Sequence, residues 1–121
     1  MKKKIVIVDD DLGIQDIFKF ILEREGYETT IYSEGKTLFQ NKIEEPNVYL
    51  LDKQLGGMED GLEICRHLKR DAATRNIPVV MVSATPGIRD MAKAAGANDC
   101  IEKPFTKNEL IAIIEKNIKR A

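Results

Sequence analysis

Short apolar runs alternate along this chain with segments whose apolar residues recur every three or four positions. Ile5-Val6-Ile7-Val8 is an unbroken β-branched run, the pattern of a strand covered on both faces. The spacing after it predicts a helix from Leu12 to Glu25, capped by Asp11 and stopped at Gly26. Leu12, Ile17, Phe18, Ile21 and Leu22 supply its expected apolar stripe. A second strand is predicted near Glu28–Tyr32, then a short helix near Gly35–Lys42 with Leu38 and Phe39 facing inward. Val48-Tyr49-Leu50-Leu51 reads as the third strand, launched after Pro46 and Asn47. A helix over Asp60–Asp71 is expected to turn Leu62, Ile64, Cys65 and Leu68 inward. Pro78 precedes a fourth strand, Val79-Val80-Met81-Val82, and a small-residue helix from Ile88 to Ala95 ends at Gly96. A brief fifth strand surrounds Cys100 and Ile101. The last helix, Lys107–Lys119, places Leu110, Ile111, Ile113, Ile114 and Ile118 on its apolar side.

Five strands alternating with five helices predict a parallel sheet covered on both faces, and right-handed crossovers make it a three-layer α/β sandwich. No repeat, low-complexity tract or linker interrupts the 121 residues, which read as one domain, 1–121.

Composition narrows the class. Hydrophobic residues make up 43% and charged residues 32%, which fits neither disorder nor a membrane protein. Nineteen Lys+Arg against 20 Asp+Glu give a formal charge of −1, so nothing global drives the chain toward nucleic acid or anionic membrane. Lys2, Lys3 and Lys4 read as a solubilising cap on the first strand. No apolar stretch approaches the ~20 residues that span a bilayer, and the N-terminus lacks a signal-peptide pattern. Cys65 and Cys100 lack CxxC spacing and read as small buried hydrophobes in a reducing cytoplasm.

The chemistry lies in the polar residues that close the apolar runs. The first strand ends in Asp9-Asp10, the third in Asp52, the fourth in Ser83 and the fifth in Lys103-Pro104. The carboxyl ends of parallel strands share one edge, where α/β sheets form their sites, so three acids, a hydroxyl and a lysine should converge. Three ionised carboxylates about 5 Å apart repel by roughly 3 kcal/mol per pair at an effective dielectric near 20. A proton or a cation must relieve this. Hard oxygen ligands on a partly open edge suit Mg2+. Asp9 and Asp10 are adjacent and read as a metal-holding pair, Asp10 binding directly and Asp9 through water or a second ligand position. Asp52 stands alone at the tip of a central strand and reads as the nucleophile. Lys103 is placed to stabilise a carboxylate first and a phosphoryl oxygen afterwards, with Ser83 donating to another oxygen. A carboxylate attacking phosphorus under such neutralisation yields an aspartyl phosphate.

The motifs IVIVDDD at 5–11, LLD at 50–52, VSA at 82–84, GAND at 96–99 and EKPF at 102–105 resemble, in this order and at these intervals, the receiver domains of bacterial two-component response regulators. The resemblance covers essentially the whole chain. It implies a flavodoxin-like fold with strand order 2-1-3-4-5. It implies phosphoryl transfer to Asp52 from a sensor histidine kinase or histidine phosphotransfer protein, and a metal shell completed by the Gln54 backbone carbonyl. It also implies a cis Lys103-Pro104 peptide, and rearrangement of the surface of the fourth helix, fifth strand and fifth helix once Ser83 moves toward the phosphate. The expected role is a cytoplasmic phosphoacceptor rather than an enzyme with a separate substrate, a monomer or weak dimer that signals to a downstream protein or relays phosphate. No nucleic acid or membrane partner is expected.

Four positions depart from the family pattern. Ile101 stands where an aromatic switch residue is common, and Ser83 to Gly96 is about two residues shorter than usual, predicting a stunted fourth helix. Gly56 replaces a frequent proline, and the loop from Asp52 to Gly61 is one residue longer. Lys53, Gln54 and Thr85 occupy variable positions that tune dephosphorylation. Rival readings fare worse. A haloacid-dehalogenase-type phosphatase needs an acid where Gln54 stands, Asp9-Asp10-Asp11 would repel the phosphate of a flavin carrier, and a dinucleotide fold needs the missing GxGxxG. Of the remaining polar residues, Asp11 reads as a helix cap, His67 as exposed, and Glu59 and Asp60 as a solvated loop with a helix N-terminal acid.

Overall fold

A computed structural model of the protein describes residues 2–40, 45–56 and 59–120. The elements run β1 (Lys4–Val8), α1 (Leu12–Arg24), β2 (Glu28–Tyr32), α2 (Thr37–Gln40), β3 (Val48–Asp52), α3 (Gly61–Arg70), β4 (Val79–Ser83), α4 (Ile88–Ala94), β5 (Asp99–Glu102) and α5 (Lys107–Arg120). All strand pairs are parallel, and the sheet order is β2-β1-β3-β4-β5. The three-layer sandwich expected from the sequence is the one observed.

Alternation along each strand divides the core in two. Val6, Val8, Tyr49, Leu51, Val79 and Met81 point to the face covered by α2, α3 and α4. Ile5, Ile7, Val48, Leu50, Val80 and Val82 point to the face covered by α1 and α5. The three inner strands are therefore apolar at almost every position, whereas the edge strand β2 carries polar Glu28, Thr29 and Thr30. Cys65 and Cys100 are free thiols buried in the first of these cores.

Helix boundaries follow local signals. Asp11 caps α1 by accepting from the Ile14 N–H at 3.1 Å, and Gly26 takes φ 92° just beyond it. Asp60 caps α3 in the same way through Leu62 N–H at 2.9 Å. The short α4 spans seven residues, ends before Gly96 at φ 90°, and buries only Ile88 and Ala92 along its length. The Lys103-Pro104 peptide is cis.

Several expected core positions differ. Leu12 and Ile17 of α1 are 71% and 47% exposed. Phe18 and Leu22 are buried and Ile21 is partly buried, as expected, and Ile14 joins them. Phe39 is exposed at 43% and lies on the His67 ring, 4.0 Å between centroids, leaving Leu38 as the buried residue of α2. His67 is exposed as expected. The rest of the helix expected over 35–42 reaches residues 41 and 42, outside the described residues. In α5, Leu110 and Ile114 are fully buried with Ile113 and Ile118 beside them, while Ile111 lies outside that cluster. Among the described residues, no helix is long and apolar enough to cross a membrane.

Candidate phosphoacceptor and metal site

The chain leaves β1 directly into the acid pair. Asp9 is fully buried, and its N–H donates to the Tyr32 carbonyl at 3.1 Å, so β2 fixes where the turn begins. Its Oδ1 accepts from the Asp11 N–H at 2.9 Å. Its Oδ2 is buried without a hydrogen-bond partner among the described residues. Asp10, one residue on, is exposed. Asp52 ends β3 and is 7% exposed. One carboxylate oxygen from each of Asp9, Asp10 and Asp52 lies within 4.8 Å of the other two.

Lys103 reaches this cluster from the end of β5. Its Nζ stands 3.6 Å from Asp52 Oδ1 and 3.9 Å from Asp9 Oδ2, ion-pair distances longer than a direct hydrogen bond. The Lys103 N–H donates to the Ser83 carbonyl at 2.9 Å, so the lysine and the hydroxyl leave neighbouring strands side by side. Ser83 is buried, and its Oγ accepts from the Thr85 N–H at 2.9 Å. The Gln54 peptide N–H lies close enough to favour the charged Asp52 carboxylate, while its side chain is exposed. Asp9, Asp10, Asp52 and Lys103 thus meet at one edge of the sheet, with Ser83 beside the lysine.

Burial dominates the electrostatics. Asp9 is pushed up to about 6, first by desolvation and then by the charges of Asp52 and Asp10, against the Asp11 N–H and Lys103. Asp52 is raised for the same leading reason, with Asp10 adding to it, while Lys103 and the Gln54 N–H pull it back. Among the described residues, a single ammonium thus faces three carboxylates. The orphaned Asp9 Oδ2, the crowding of three oxygens and the absence of nitrogen or sulfur donors among them fit a small hard cation of the Mg2+ type.

Three supports were not read from the sequence. At Gly61, an added Cβ would stand 2.0 Å from the Asp52 carbonyl oxygen, so the start of α3 packs directly on the end of β3. The Gly61 N–H seals that contact by donating to the Lys53 carbonyl at 2.8 Å. Glu59, expected in solvent, instead accepts from the Gly35 and Lys36 N–H groups at 2.8 and 2.9 Å and latches the β2–α2 loop onto the β3–α3 loop. Gln15 of α1 donates its side-chain amide to the Asp9 carbonyl and, at 3.0 Å, to Ser33 Oγ. Of these, only the glycine left a trace in the sequence, as a small residue closing an acid-rich loop.

Comparison with known proteins agrees with this geometry. Residues 5–115 match the response regulator receiver domain family. The signal receiver domain of a signal transduction histidine kinase from Syntrophus aciditrophicus is similar over 98% of this chain and 92% of its own, at 28% identity and TM-score 0.88. NtrX from Brucella abortus is 34% identical over 99% of this chain, at TM-score 0.86, although the match spans only 27% of NtrX. The receiver domain of the sensor histidine kinase PA1611 from Pseudomonas aeruginosa PAO1, solved with a magnesium ion coordinated in its active-site cleft, matches 98% of this chain and 99% of its own at 25% identity and TM-score 0.87. The strand order, the acids at the ends of β1 and β3 and a family match over nearly the full length lead to one conclusion: this chain belongs to the response regulator receiver domain family.

Proposed function

We propose that this protein takes a phosphoryl group onto Asp52 from the phosphohistidine of a sensor histidine kinase or histidine phosphotransfer protein. In the cytoplasm it would then signal to a downstream protein or pass the phosphate on. The observation that carries this reading is the cluster of Asp9, Asp10 and Asp52 within 4.8 Å, with Lys103 Nζ 3.6 Å from Asp52. A carboxylate oxygen of Asp52 attacks phosphorus, an O–P bond forms as the N–P bond breaks, and the imidazole departs. Lys103 neutralises charge on the transferred group, and the Ser83 hydroxyl, which uses only its oxygen in accepting from Thr85, keeps its proton for a phosphoryl oxygen. Asp9, Asp10, Asp52 and the Gln54 backbone carbonyl would hold Mg2+, whose bound charge offsets that of the crowded carboxylates and the incoming phosphoryl oxygens. The protein assists its own modification and acts on no separate substrate.

Partner access is supported on the same side. Ile14, Ile17, Ala84, Lys103, Pro104 and Phe105 line an apolar groove beside the lysine, and α1 exposes Leu12, Ile17 and Phe20. The buried aliphatic Ile101 stands where a rotating aromatic ring is common in the family, so switching here proceeds without that ring. Intact mass after incubation with acetyl phosphate tests the chemistry. Wild type should gain one phosphoryl group with Mg2+ and none with EDTA, and Asp52→Asn should gain none. Undiminished labelling of Asp52→Asn would overturn the assignment.

A further inference from the structure

The turn that carries Asp9 and Asp10 is held from three directions. The Asp9 N–H is held by the Tyr32 carbonyl, its Oδ1 by the Asp11 N–H, and its carbonyl by the amide of Gln15. The last contact bears on Asp10. The Asp9 carbonyl and the Asp10 nitrogen belong to one planar peptide, so a donor on that oxygen fixes the plane from which the Asp10 side chain departs. Asp10 itself is exposed, so this backbone plane is what aims it.

Gln15 is in turn braced. Its second amide hydrogen meets Ser33 Oγ at 3.0 Å, and Ser33 begins the β2–α2 loop. Two and three residues on, Gly35 and Lys36 give their N–H groups to Glu59, in the loop that also carries Gly56. A Cβ on Gly56 would stand 3.0 Å from Asp10 Oδ2, so that loop borders the same acid. The β2–α2 loop is thereby tied to both acid-bearing loops, around an open cleft lined by Asp10, Ser33, Glu34, Lys36, Gly56 and Glu59.

We propose that Gln15, braced by Ser33, is a positioning residue that sets Mg2+ affinity by orienting the Asp9–Asp10 peptide. The proposal rests on the metal-assisted phosphoacceptor reading. Gln15 is uncharged, so removing it takes away no net charge that attracts the ion; only orientation is lost. Losing such an outer support typically costs a metal site about tenfold or more in affinity.

The test compares wild type, Gln15→Leu and Ser33→Ala by calorimetric titration of the metal-free proteins with MgCl2. Gln15→Leu should bind about tenfold more weakly, and Ser33→Ala should be weakened by a smaller factor. In the metal-free state, the backbone 15N resonance of Asp10 should shift in both variants. With acetyl phosphate, the half-saturating Mg2+ concentration of Gln15→Leu should rise, while its maximal rate at saturating Mg2+ stays within about twofold of wild type. A general loss of structure would lower the maximal rate instead, and Ser33→Ala keeps the proposal open to test if Gln15→Leu folds poorly. Wild-type Mg2+ affinity in Gln15→Leu would overturn the proposal and leave the phosphoacceptor reading intact. A wild-type protein that takes up neither Mg2+ nor phosphate would overturn both.

Discussion

Asp9 shows most directly what burying an acid costs. It is fully buried, one of its oxygens lacks a hydrogen bond among the described residues, and its carboxyl is pushed up to about 6. In the unfolded chain it titrates near the ordinary aspartate value of 3.8. The folded state therefore binds the proton more tightly, and stability falls as pH rises from about 4 through 6. The full loss is on the order of 3 kcal/mol, because each tenfold change in proton affinity is worth about 1.4 kcal/mol. Urea denaturation in EDTA at pH 4.5 and 7.5 should show about two thirds of this loss in wild type, since part is already lost at pH 4.5, and a clearly smaller one in Asp9→Asn. Equal losses would mean that Asp9 is not the strained acid. Gly61 presents the opposite case, a position where nothing can be added. Its missing Cβ would lie 2.0 Å from backbone, whereas at Gly35 the obstacle is the movable side chain of Ile64. Gly61→Ala should cost about 3 kcal/mol and Gly35→Ala less, as measured by chemical denaturation.

At the scale of elements, the inner strands and the ends of most helices were legible in the sequence. β1, β3 and β4 are continuous apolar runs because both faces are covered, and Asp11, Asp60, Gly26 and Gly96 mark helix ends by local chemistry that needs no tertiary information. The acids, the serine and the lysine were legible because each stands at or just past the end of an apolar run. The contacts that escaped depend on a neighbour distant in sequence. Leu12 and Ile17 have the composition of core residues, but the angle at which α1 lies on the sheet favours the line through Phe18 and Leu22. Phe18 also stacks on Phe105, 5.5 Å between nearly parallel rings, a contact between opposite ends of the chain that no periodicity could announce. Glu59 escaped for the same reason, its partners being backbone N–H groups of a distant loop, and so did the brace of Gln15 by the Ser33 hydroxyl.

For the whole molecule, the sheet gathers charge at one edge and leaves an apolar core on either side. A cation that binds only the folded arrangement should therefore stabilise the entire fold. Binding at about a hundred times the dissociation constant adds about 2.7 kcal/mol. Calorimetric melting in MgCl2 should lie several degrees above melting in EDTA, and the gap should shrink in Asp9→Asn. An unchanged melting point in wild type would contradict a three-carboxylate site.

Helix α4 is short and buries few of its own side chains. Within the helix, one isoleucine and one alanine are its buried side chains, and Arg89 meets Glu102 of β5 at 3.0 Å in an exposed pair. Apolar burial of that extent is worth about 3 kcal/mol, and an exposed ion pair adds little. The first turn is chained to the serine, because Ile88 N–H donates to the Thr85 carbonyl at 3.3 Å and Thr85 N–H donates to Ser83 Oγ. One charge-assisted hydrogen bond is worth about 1.5–3 kcal/mol. The burial within the helix and one such bond at that hydroxyl are of the same size, so if a phosphoryl oxygen engages Ser83 as proposed, amide exchange in this seven-residue helix should quicken.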